Sequence, residues 1–136
     1  MERRRVHSGS PLEAPFSYCR AVRVGDTITV AGTAPVEPDG SSTPGDAAAQ
    51  AERCFRIIFD AVEALGGRGA DIVRTRMFIT DPEDADRVGT VHGKWMAVAC
   101  PAATMVVVSA LLRPEWKVEI EADAVLPLAG PPAPLS

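Results

Sequence analysis

No apolar run in the chain approaches the ~20 residues needed to cross a bilayer, and the opening MERRRVHSGS lacks the apolar core of a secretory signal. The expectation is a cytoplasmic protein without membrane contact. Cys19, Cys54 and Cys100 are odd in number and show no CxxC spacing. Neither a disulfide framework nor a thiolate metal site is indicated, and no cofactor motif stands out. Basic charge is scarce too: 14 Lys and Arg against 18 Asp and Glu leave a net charge of −4. The one local excess, Arg3-Arg4-Arg5, reads as a loose end, so nucleic acid is not an expected partner.

What is present is an ordinary globular balance, 46% hydrophobic and 24% charged over 136 residues. That length suits one domain, taken as residues 1–130, with a disordered tail at 131–136. Arg20 to Val24 and Thr27 to Gly32 are β-rich runs around Gly25-Asp26, a two-residue hairpin signal. Pro35 to Gly45 reads as a surface loop. Asp46 then has the character of an N-cap, and Ala47, Ala51, Cys54, Ile58, Ala61 and Leu65 recur at helical spacing before Gly66-Gly67.

Ile72 to Thr80 follows as a strand, with Val73, Thr75, Met77 and Ile79 on one face and Arg74, Arg76 and Phe78 on the other. Asp81-Pro82-Glu83-Asp84 is a helix start, and Ala85, Val88, Val91 and Trp95 form the buried side of that second helix. Pro101 precedes two more strands, Thr104 to Leu111 and Lys117 to Leu126. An extra strand near Val6 is possible on pattern. The simplest packing is α+β: a mixed sheet of five to six strands with two helices on one face. Met105 to Val108 is apolar on both strand faces, which calls for burial of both. Two helices cover one face only, so a second copy of the chain is the expected cover for the other.

Several stretches together carry a resemblance. They are Tyr18 before the hairpin, AGTAPV after it, Gly45, Asp46 and Gln50 opening the first helix, DIVRTRMFITD in the middle, and PAATMVVV with VEIEADAV at the end. In this order and spacing, from about Tyr18 to Val125, the chain resembles the RidA family, also called YjgF or reactive intermediate deaminase. The resemblance implies a chorismate-mutase-like fold and a homotrimer with sheets inward, helices outward and a ligand cleft at each subunit interface. It implies hydrolysis of enamines and imines such as 2-aminoacrylate to a keto acid and ammonia, without metal or organic cofactor.

Carried over by position, the cleft would contain Tyr18, Gly32, Thr104 and Glu119. By alternation alone Glu119 is one solvent-facing member of an E-I-E-A strand. The resemblance makes it the carboxylate that positions the hydrolytic water, a role that needs a proton acceptor beside the C=N carbon.

The ligand shell also departs from the family. Ala103 stands where its best-known members carry a carboxylate-gripping arginine, Gly89 replaces an asparagine, and Thr33 a glutamine. A small imine, enamine or related carbonyl compound other than 2-aminoacrylate is therefore the expected substrate. The alternative is a small-metabolite-binding or regulatory protein without catalysis. RNA cleavage, an older label of the family, ranks last because the chain is acidic. Arg20 shares a strand face with Tyr18 and is the favoured substitute cation, ahead of Arg76, Arg113 and His92. No Ser, Cys or Asp partner for His92 is suggested by spacing. Cys54 lies on the buried stripe and reads as inert.

Overall fold

The computed structural model describes residues 1–127; the tail expected at 131–136 lies outside them. Six strands form one sheet: β1 (Arg3–Val6), β2 (Ala21–Val24), β3 (Thr27–Thr33), β4 (Ile72–Ile79), β5 (Ala102–Val107) and β6 (Val118–Val125). Their spatial order is β1-β2-β3-β6-β4-β5. All neighbours run antiparallel except β4 and β5. The mixed α+β architecture is the expected one.

The hairpin turns at Gly25, whose φ of 61° lies in the left-handed region that glycine enters without strain. Arg3 to Arg5 are not a loose end. They belong to β1, which pairs along β2. A short helix that the pattern did not announce, α1 (Glu13–Phe16), joins β1 to β2.

Two longer helices cover one face of the sheet. In α2 (Ala47–Ala64) the Asp46 carboxylate accepts from the Ala49 amide at 2.9 Å, closing the first turn as the sequence suggested. All six residues of the apolar stripe, Ala47 to Leu65, are buried. The helix α3 (Ala85–Trp95) follows a 3₁₀ turn at Pro82–Asp84, whose cap is Asp81. Trp95 stacks on Phe55 at 6.1 Å and meets Phe59 edge-on at 4.9 Å, which pins α3 to α2. No helix among the described residues is long and apolar enough to cross a membrane.

Three details depart from expectation. Ile72, not Val73, enters the core, because the register with β6 shifts between Ile72 and Arg74 and leaves Val73 exposed. Next, β5 ends at Val107 rather than Leu111. The place of β5 in the sheet, which the pattern left open, is an edge, and Val106 and Val107 are 42% and 53% exposed there. The face away from the helices is also more polar than expected. Arg76 bridges Glu121 and Asp123 there at 3.4 and 3.3 Å, since Glu119, Glu121 and Asp123 alternate along β6.

Candidate functional site

On that open face the central residue is Glu119. It is the second residue of β6, opposite Phe78 of β4, on the strand that runs beside β3. A Cβ built on Gly32 would come within 2.6 Å of Glu119 Oε2, so the carboxylate occupies space that only a glycine leaves. Gly32 faces this way because β3 bulges between Val30 and Thr33. The bulge resets the alternation and turns Thr33 into the core, fully buried, with its hydroxyl donating to Ala31 O at 2.8 Å. Only the backbone of Thr33 therefore borders the Glu119 cluster.

Arg20 closes the third side. Its Nη2 donates to Gly32 O at 2.5 Å, and its Nε is buried without a partner among the described residues. Burial lowers the guanidinium's pKa, against the attraction of Tyr18, Glu13 and Glu119. Burial likewise raises the Glu119 pKa; Arg20 works against that and Glu121 adds to it. The Glu119 carboxylate makes no hydrogen bond or ion pair with any described side chain. It is a partly desolvated base with free lone pairs.

Tyr18, 39% exposed, lines a neighbouring depression of about 280 Å³ together with Arg5, His7, Glu13 and Cys19. Tyr18, Arg20, Gly32 and Glu119 thus share one region. The remaining two sequence-derived candidates lie elsewhere. Ala103 pairs with Thr75, which puts it on the helix-covered side, and Thr104 pairs with Arg76 and accepts from Arg74 Nη2 at 2.7 Å. Strand β4 separates them from β6. Within one chain, Ala103 and Glu119 face opposite sides of the sheet.

His92 has a partner that spacing did not suggest: its Nε2 lies 2.8 Å from Thr75 Oγ1, and burial lowers its pKa. Cys54 is fully buried, and burial pushes its thiol far up, consistent with an inert core residue. Arg113 is occupied by Gly40 O and the face of Trp116. The sequence reading missed Glu13, a buried carboxylate that accepts from Ser8 and from His7. No spacing announced it: the S-x-x-E pattern of Ser10 to Glu13 forms no capping box, and Ser10 Oγ accepts from the Leu12 amide instead.

A burial-perturbed carboxylate, Glu119, thus stands against a strand glycine on the open face of a six-stranded mixed sheet in an α+β domain. The profile of the family described as endoribonuclease L-PSP matches residues 9–126. The chain belongs to this family, the one also called RidA or YjgF.

A YjgF-family protein of Mycobacterium tuberculosis shares 42% identity and superposes with a TM-score of 0.83, covering 92% of this chain and 100% of that one. Protein DfrA of Myxococcus xanthus is 38% identical over 128 residues, 92% of this chain and 97% of that protein. The 2-iminobutanoate/2-iminopropanoate deaminase of Escherichia coli is 34% identical over 111 residues, 79% of this chain and 86% of that protein.

Proposed function

We propose that this protein hydrolyses a small imine or enamine to a carbonyl compound and ammonia, in a cleft completed by a second copy within a homotrimer. The observation that carries the reading is Glu119: an unpaired carboxylate, its pKa raised by burial, held against Gly32 with Arg20 alongside. A relative named as an imine deaminase supports the reaction class.

The chemistry follows from the geometry. Water adds to the C=N carbon as its proton passes to Glu119, and the π pair moves to nitrogen, which takes up a proton. In the tetrahedral adduct the Glu119 carboxyl returns its proton to nitrogen. The C–N bond then breaks with its pair leaving on ammonia, and the hydroxyl loses its proton to give C=O. An imine and water have become a carbonyl and ammonia. An enamine enters the same path after protonation at carbon. A carboxyl with a raised pKa suits both halves, since it must take and return one proton.

The substrate is not 2-aminoacrylate. Ala103 offers no guanidinium, and two charge-assisted hydrogen bonds of about 1.5–3 kcal/mol each are a large part of what so small a ligand can gain. The test is ammonia release from imines generated in place by amino-acid oxidases or lyases. Turnover of larger imines, weak turnover of aminoacrylate, and a gain on aminoacrylate in Ala103→Arg are the expected results. Ala103 also favours one other reading, a binding protein without catalysis. Small keto acids that bind while no imine is turned over would replace the first reading with that one.

A further inference from the structure

The depression beside Tyr18 has a definite charge pattern. Arg5 and His7 line it, two residues apart along β1 and just beyond it, and so on the same side. Arg5 makes no side-chain hydrogen bond or ion pair among the described residues. His7 Nδ1 lies 3.0 Å from Glu13 Oε1, and Glu13 is buried and acidic, its pKa lowered because bonds from Ser8 and His7 outweigh burial. An ionised carboxylate only accepts, so Nδ1 carries the proton and Nε2 is the nitrogen left free. Both Glu13 oxygens are taken up by Ser8 and His7. The only acid of the cup is thereby spent on holding His7. What faces the space is the Arg5 guanidinium, the free edge of His7 and Tyr18. Tyr18 lines this cup, and Arg20, two residues further along, reaches Gly32 O at 2.5 Å beside Glu119.

We propose that this cup binds a carboxylate of the substrate, remote from the reacting C=N carbon. The inference rests on the imine-hydrolase reading of Glu119 and names its substrate class: imines bearing a carboxylate two or more carbons along the chain. A carboxylate adjacent to the C=N carbon would not serve, because Glu119 does not line the cup. Arg5 presents a planar pair of donors suited to a carboxylate, and the Tyr18 hydroxyl supplies a third.

The experiment compares two imines of one shape, made in place from glutamate and from glutamine by an oxidase, so that a distal carboxylate is set against its amide. The unmodified protein is expected to favour the acid by roughly tenfold or more in kcat/KM. Arg5→Gln should collapse that preference by lowering kcat/KM for the acid toward that of the amide; His7→Gln should reduce it. Arg4→Gln, one residue away on the opposite side of β1, is the control and should change nothing. Calorimetry of 2-oxoglutarate and its amide, on proteins shown folded by circular dichroism, gives a second readout without turnover. Arg5-dependent binding of 2-oxoglutarate without imine hydrolysis would keep the cup and discard the enzyme. Equal handling of acid and amide, unaltered by Arg5→Gln, would overturn the cup while leaving the deaminase reading intact.

Discussion

At the residue scale the protein turns on Glu119 and what its neighbours do to its proton. Glu119→Gln should lower kcat by about 100-fold or more, the usual weight of a positioned acid–base group, with keto-acid binding within about tenfold. The pH profile gives the sign. A base must be ionised, and burial raises this carboxyl, so the acid limb of kcat/KM should lie above the ordinary glutamate value of about 4.3 and vanish in the variant. Stability runs the other way. A carboxyl whose folded pKa is raised favours the fold below its unfolded pKa, and that support is lost as pH rises through the folded pKa. Glu119→Gln should therefore melt higher than the unmodified protein at neutral pH, and the gap should close in acid. Alternation gave the open face of Glu119, whereas only the family pattern set Gly32 and Tyr18 beside it, because the bulge in β3 breaks the alternation at Gly32. Thr33 was not legible in sequence, because a bulge moves a side chain across the sheet and leaves no mark in composition. The Glu13–His7 contact was hidden for a related reason: it depends on how a loop folds back.

At the element scale, local signals were honest where one element decided its own form. The Asp46 cap and the stripe of α2 stand as read, and Asp46→Ala should cost about 1 kcal/mol in urea unfolding, since it orphans the Ala49 amide. The pattern of β5 left its place in the sheet open, because an apolar run reports burial and not pairing. Apolarity on both faces suits a central strand, and it equally suits an edge strand that another chain covers. The observed edge, with Val106 and Val107 both exposed, separates the two. It also sharpens a test. Val107→Asp places a charge where this chain already meets solvent, so a lone subunit should keep its helical and sheet signal. If copies meet along β5, that charge is buried and unpaired in the assembly, at a cost of several kcal/mol. Light scattering should then fall to the 14.4 kDa of one chain while circular dichroism is retained. Loss of both together would mean that Val107 serves the fold of the single chain.

For the whole molecule, the sheet holds apart two residues that the proposed cleft would combine. Glu119 and Ala103 face opposite sides of it, two strands apart, so no ligand within a single subunit touches both. If both line one cleft, one copy brings Glu119 with Gly32, Arg20 and Tyr18, and its neighbour brings β5. A cyclic trimer repeats that directional contact three times. The arrangement makes a prediction that no single-chain site shares. Take two inactive variants, Glu119→Gln and a bulky Ala103→Trp that fills the cleft from the other side. Neither alone should release ammonia. Unfolded together in equal amounts and refolded, they form mixed assemblies in which some interfaces pair an intact Glu119 face with an intact β5 face. For random mixing such interfaces are roughly a quarter of the total, so activity should return to about a quarter of the unmodified level. Mixing without refolding should restore nothing until subunits exchange. If the refolded mixture stays inactive while Ala103→Trp alone remains trimeric and folded, the two faces do not share a cleft, and Ala103 plays no part in the site that Glu119 serves.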